Sequence, residues 1–162
     1  MSLFIPGMKC SLCGHSIGKD DQTIAFGSFV PNEMDPLWIF NDKTFHASCF
    51  YSHPLSVKAS VRYEEFRENM FSNKKICSIC NDEISDPDDY FGFFYLTDKI
   101  GHPLYRYNYT HLHRSCMNSW PELPQIYNLL EEFRNSGEWV GKALDVLMVE
   151  VKNILSSTGQ QK

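Results

Sequence analysis

The 162-residue chain has no apolar run near the ~20 residues a helix needs to cross a bilayer, so a helical membrane span is excluded. It has no Gly-rich phosphate loop, no nucleophile elbow and no metalloprotease helix. It is poor in positive charge, with 15 Lys and Arg against 20 Asp and Glu and a net charge of −5. Such a balance opposes unspecific binding to a phosphate backbone, which needs clustered Lys and Arg, and makes nucleic acid an unfavoured partner. The start, Met1 to Gly7, lacks a basic leader followed by a long apolar stretch. The expected compartment is therefore cytoplasmic, where six cysteines stay reduced.

What the chain has in quantity is aromatic surface, 14% of its residues. Aromatics let a small core bury much apolar area from few positions. Charge is unevenly placed. Residues 1–75 hold eight basic and eight acidic side chains, whereas residues 76–162 hold seven basic and twelve acidic, so the whole deficit sits in the second half.

The cysteines lie at 10, 13, 49, 77, 80 and 116, and subtracting 67 from the last three returns the first three. His113 returns His46 under the same shift. The chain thus reads Cys10-x2-Cys13-x32-His46-x2-Cys49 and then Cys77-x2-Cys80-x32-His113-x2-Cys116, with no gap. The residues between also match: Ile17 falls on Ile84, Asp21 on Asp88, Phe26 on Phe93, Asn41 on Asn108 and Ser48 on Ser115. Pro36-Leu37-Trp38 falls on Pro103-Leu104-Tyr105. Two copies are too few for a solenoid, so the pattern predicts two tandem modules.

Within each copy, turn formers bound two aromatic and β-branched segments, which predicts hairpins: Thr23 to Val30 with Leu37 to Asn41, and Tyr90 to Thr97 with Leu104 to Tyr109. Each His-x2-Cys then opens a helix, with Thr44 and Thr110 as possible N-caps. Leu55, Ala59, Tyr63, Phe66 and Met70 recur at helical spacing and predict a helix from Pro54 to about Phe71. Ile126, Leu129, Leu130 and Phe133 give a second stripe, and Trp139, Ala143, Leu147, Val151 and Ile154 or Leu155 a third, before a frayed tail from Ser156. The expected class is α+β: a first module at 1–53, a linking helix at 54–75, a second module at 76–120, and C-terminal helices at 121–158 packing on the modules.

Three thiolates and one imidazole at two-plus-two spacing suit tetrahedral Zn²⁺. The predicted ligands are Cys10, Cys13, His46 and Cys49 for one ion and Cys77, Cys80, His113 and Cys116 for the other, two structural zinc ions per chain. Each loaded site then carries a charge of −1. Disulfides fit the even count but not the expected compartment, and a thioredoxin-like use of Cys-x2-Cys needs a βαβ pattern that is absent. His15, His53, His102 and His111 do not recur under the shift and are read as surface or local hydrogen-bonding groups.

A Cys-x2-Cys knuckle, a hairpin and a helix bearing two more ligands resemble the treble-clef group of zinc fingers, and the ligand set is similar to the first zinc site of a LIM domain. The resemblance covers residues 10–50 and 77–117. The 32-residue spacer is longer than LIM domains usually have, and Phe50-Tyr51 and Met117-Asn118 supply no second site. The resemblance implies a fold and a structural role for zinc, and leaves function to be argued from the residues.

Catalysis is not expected, because four protein ligands close a zinc site that a catalytic metal would keep open. Zinc deaminases need a His-x-Glu and a Pro before Cys-x2-Cys; here Ser48, Ser115, Lys9 and Ile76 occupy those places. His-dependent nucleases use treble-clef-like scaffolds, and His102 is the one residue placed for that role. The expected role is protein–protein interaction with a basic partner, as in an acidic immunity or inhibitor protein steered onto a basic enzyme. Asp82, Glu83, Asp86, Asp88 and Asp89 are the candidate surface, or else a solvated loop. Tyr105, Tyr107 and Tyr109 alternate and would share a strand face, as core or as an exposed row. A nucleic-acid-associated regulator is the alternative, with Lys74, Lys75, Arg106 and Arg114 as its contacts, and homodimerisation through the last helix is a third expectation.

Overall fold

The computed structural model describes residues 7–72 and 74–158, and the chain divides into two compact units. The first comprises Met1–Val30 with Asp35–Glu68, and the second Pro31–Met34 with Asn69–Lys162. Among the described residues the secondary structure is mixed, with five α-helices and two small antiparallel sheets. No helix among the described residues is long and apolar enough to cross a membrane.

The first unit opens with the knuckle. Cys10 N–H donates to the His15 carbonyl and Gly14 N–H to the Cys10 carbonyl, each at 2.8 Å. Gly14 turns the chain at φ +76°, a region that glycine enters without steric cost. Strand β1 (Thr23–Phe26) pairs antiparallel with β2 (Lys43–His46), Thr23 opposite His46 and Phe26 opposite Lys43. Helix α1 (Ala47–Tyr51) follows β2 directly, and α2 (Ser56–Met70) closes the unit.

The second unit repeats this order. Its knuckle turns at Asn81, with φ +63°, where an asparagine tolerates the left-handed region. Strand β3 (Tyr90–Gly92) pairs with β4 (His111–His113), then come α3 (Arg114–Met117), α4 (Leu123–Asn135) and α5 (Ala143–Thr158). Helicity thus continues past Ser156 to Thr158; residues 159–162 of the expected tail, and residues 1–6, lie outside the described residues.

The hairpins form, but their second strands lie later than the composition suggests. Pro36–Phe40 and Pro103–Tyr107 are 3-10 turns. Proline at the first position supplies a helical φ and has no N–H to leave unsatisfied. The Asp35 carboxylate caps the first turn by accepting the Leu37 N–H at 2.8 Å, and His102 Nδ1 caps the second by accepting the Leu104 N–H at 3.1 Å. The strands begin only after Asp42 and Tyr109, left-handed at φ +53° and +54°. Tyr105, Tyr107 and Tyr109 therefore share no strand face: Tyr107 is buried, Tyr105 is exposed, and Tyr109 turns the chain.

The two cores differ in kind. The first packs five phenylalanines, Phe26, Phe29, Phe40, Phe45 and Phe50, with Tyr63 of α2 set edge-on to Phe26 at 4.9 Å. Such edge-to-face pairs add about 0.5–1.5 kcal/mol each beyond area burial. The second is largely aliphatic, with Leu104, Leu112, Leu123, Ile126 and Leu130 joined by Leu144, Leu147 and Val151 of α5.

One polar device recurs inside both. The side-chain carbonyl of buried Asn41 accepts N–H groups from Phe29 and Val30 at 2.8 and 2.9 Å. Asn108 does the same for Leu96 and Thr97 at 2.7 and 3.2 Å. These loops lack strand partners, so the amide satisfies donors that burial would otherwise leave unpaired. Asn41→Leu strands two buried donors and is expected to lower stability by about 2–4 kcal/mol in denaturant unfolding, and Asn108→Leu by a similar amount. A loss under about 0.5 kcal/mol would show that water replaces the amide.

Candidate metal centre

Each unit gathers four donors from three elements. Cys10, Cys13, His46 and Cys49 place their ligand atoms all within 4.8 Å of one another, and so do Cys77, Cys80, His113 and Cys116. All six cysteines are free thiols. The knuckle supplies two sulfurs, the end of the second strand supplies the imidazole, and the short helix supplies the last sulfur.

The histidines do not sit within the helices. His46 and His113 end their strands in extended conformation and are themselves the N-cap residues, at ψ 138° and 136°. Thr44 lies inside β2 and Thr110 precedes β4, so neither caps a helix. The strand end explains the convergence. It carries the imidazole to the knuckle, while the tight turn into the helix brings Cys49 or Cys116 back to the same point.

The separations match a tetrahedral ion. His46 Nδ1 lies 3.4 Å from Cys13 Sγ and 3.8 Å from Cys49 Sγ, and His113 Nδ1 lies 3.4 Å from Cys80 Sγ and 3.8 Å from Cys116 Sγ. Zinc bonds of the usual length at tetrahedral angles put sulfur and nitrogen about 3.5 Å apart. The innermost sulfurs have a further partner, because the backbone N–H groups of His46 and His113 point at Cys10 and Cys77 Sγ, each at 3.4 Å.

The far side of the His46 imidazole faces a carboxylate. His46 Nε2 lies 3.4 Å from Asp21 Oδ2. An acceptor there orients the ring and holds the tautomer that leaves Nδ1 free for a metal. In the second unit Asp89 interacts electrostatically with His113, and its hydrogen bonds go to Ser115. Its carboxyl is held below the ordinary range by the Ser115 backbone N–H, against an opposing effect of burial, and further by the Ser115 hydroxyl and the charge of His113. Both bonds to Ser115 are 2.8 Å. Spacing alone does not reveal these partners, since Asp89 shifts onto Gln22 and not onto Asp21.

His111 is close in sequence but serves elsewhere. Its Nδ1 meets the Tyr90 hydroxyl at 3.0 Å, and burial together with the Lys75 ammonium lowers its basicity, against the Asn69 backbone bond. His102 caps its turn and rests on Phe133 at 5.0 Å. His53 Nδ1 accepts the Leu55 N–H at 3.2 Å. No family model, curated protein or solved structure matches the chain.

The thiols of one site do not ionise alike. Burial acts to raise the Cys10 thiol, but N–H groups of Cys13, His46 and Leu12 outweigh it and bring it down to about 6; Cys77 also falls to about 6. Burial, then hydrogen bonding and repulsion from the other two sulfurs, push Cys49 up to about 11 and Cys116 up to about 12. A metal-free site at neutral pH thus keeps a proton on its helix cysteine, and a cation bound by thiolates must displace it.

Zinc uptake at pH 7 should release at least about one proton per site, read by calorimetry in buffers of different ionisation enthalpy. Affinity should then fall as pH is lowered, and more steeply below about 6 as Cys10 and Cys77 also protonate. His113→Ala should weaken metal retention by about 10-fold or more, whereas His111→Ala should leave it within about 2-fold. Equal losses in a chelator competition would contradict the assignment of His113.

Proposed function

We propose that the chain is a non-enzymatic zinc protein: two treble-clef-like modules, each closed by one structural Zn²⁺, acting as a protein–protein interaction unit. The observation that carries the metal reading is the convergence of four donors at both sites. Three sulfurs and one imidazole fill a tetrahedral shell and leave no position for water or substrate. Once bound, the ion supplies positive charge that lets three thiolates sit side by side. The chain supplies the geometry, through knuckle N–H groups, strand end and helix.

The surrounding residues favour binding over catalysis. His102, the one candidate general base, is engaged with a backbone N–H. A protein partner is favoured over nucleic acid because acidic side chains outnumber basic ones by 20 to 15 and the four candidate phosphate contacts each have a partner within the chain. Arg106 pairs with Glu122 and Arg114 with Glu150, each at 2.9 Å. Lys74 lies 3.8 Å from Glu83, and the Lys75 ammonium donates to the Met70 carbonyl at 3.2 Å. Net charge of −5 favours a basic partner, as an inhibitor or immunity protein would require.

Native material should contain two zinc ions per chain by elemental analysis, and a strong chelator should abolish its near-ultraviolet circular dichroism. In a mobility-shift assay at physiological salt, DNA and RNA should remain unbound. Metal-free native protein would overturn the zinc reading, and a clear shift would overturn the choice of partner.

A further inference from the structure

The repeat extends further than the ligands. Helix α2 begins at Ser56 and α4 at Leu123, and 56 plus 67 is 123. Buried Ala59 falls on buried Ile126, and Tyr63 falls on Leu130. Helix α5 breaks the correspondence, because 143 minus 67 is 76, where the second copy itself begins. The second unit therefore has one helix more than the first.

That helix shows what its seat accepts. Leu144, Leu147 and Val151 of α5 share one buried cluster with Phe91, Phe93 and Leu130. Asp145 pairs with Arg134 of α4 at 2.7 Å, and Glu150 holds Arg114. Arg114 in turn donates from Nε to the outward Tyr90 carbonyl at 3.1 Å, closing the free edge of β3.

In the first unit the residues that the shift brings onto Tyr90, Phe91, Tyr127 and Leu130 line an open groove of about 260 Å³ between β1 and α2. The shift turns Phe91 into half-buried Ile24, Leu130 into half-buried Tyr63, and Tyr127 into Ser60. Tyr51 at its side is 66% exposed. Arg114 becomes Ala47, so no guanidinium reaches the Thr23 carbonyl, the counterpart of Tyr90. Ladder alternation points the groups of Thr23 and Ala25 away from β2, since Ala47 N–H already bonds the Gln22 carbonyl.

We propose that this groove receives an amphipathic helix of a partner protein, seated as α5 is seated in the second unit. The proposal rests on the reading of the chain as an interaction module and names the surface. The incoming helix carries aliphatic side chains at the spacing of Leu144, Leu147, Met148 and Val151. It carries Lys or Arg where α5 has Glu150. An acid there would meet alanine, whereas a cation could donate to the outward Thr23 carbonyl in a groove also lined by Glu64, which pairs with Arg67 at 3.3 Å. A second copy is not the occupant, because Leu144 and Val151 of α5 are fully buried in their own unit.

The test uses the full chain as purified, isotope-labelled and titrated with a peptide of residues 143–158 bearing Glu150→Lys. Saturable amide shifts at Thr23, Ala25 and Ser60 are expected. The peptide retaining Glu150 should bind about tenfold more weakly. Ser60→Trp, on the partly exposed surface of α2, should fill the groove and abolish binding. Shifts confined to the second unit, or none that saturate, would overturn the proposal. So would shifts of these three amides with protein concentration alone, which would identify a second copy as occupant. Metal content is measured on the same sample: two zinc ions without groove binding sinks this inference alone, and groove binding without zinc sinks only the metal reading.

Discussion

The structure depends on bringing two pairs of donors, separated by 32 residues of chain, to one point in each unit. Sulfur and nitrogen must meet at about 3.5 Å, so the hairpin register is fixed to within a residue. The backbone meets this demand by tying the knuckle to the second strand. Ser11 N–H donates to the Thr44 carbonyl at 3.2 Å, and Ser78 N–H to the His111 carbonyl at 2.9 Å. A slip of one residue would turn the histidine to the other face of its strand and open the site.

That constraint explains which parts of the fold were legible in the sequence. The grouping of the eight side chains could be read because both copies carry them at the same spacing with no gap. The strand positions could not. Leu37 to Asn41 has strand composition, and what makes it a 3-10 turn is Pro36 preceded by a capping Asp35, a local device that outweighs propensity. In the second copy His102 takes the capping role of Asp35, so the recurrence is one of hydrogen bonding and not of residue type. Asn41 and Asn108 stood out as a repeated pair, but two N–H groups converging on each amide is a tertiary fact. The likeness of α2 to α4 was hidden for a similar reason. Ala59 opposite Ile126 and Tyr63 opposite Leu130 fill similar space with different chemistry, and periodicity alone does not align them.

The same frame thus supports two different interiors. Around the metal-site scaffold, the first unit uses ring against ring, and the second uses aliphatic side chains and an added helix. Aromatic side chains fill volume with few rotatable bonds, so the first unit is packed with fewer elements. The second buries more chain, and its Arg114 is held between the Tyr90 carbonyl and Glu150. Where the first unit has Ala47 in place of that arginine, its sheet edge stays open. Edges of this kind are normally covered or charged. On the reading proposed above, a partner helix would complete the layer at the open one.

Electrostatics points in the same direction. Three thiolates around a divalent ion leave each loaded site at −1, which adds to a chain already at −5. Lys74, Arg106 and Arg114 pair with neighbouring carboxylates and Lys75 with a carbonyl, and their charge is already counted in the net −5. The acidic stretch after the second knuckle is itself partly engaged, with Asp86 accepting the Asp88 N–H at 2.9 Å and Asp89 held by Ser115. Engaged carboxylates keep their charge even though their hydrogen bonds are satisfied. They contribute a long-range attraction for cations without offering a specific contact. On the proposed reading, the shaped groove would supply the specific contact and the diffuse negative field the approach, a division of labour suited to recognising a basic protein through one helix.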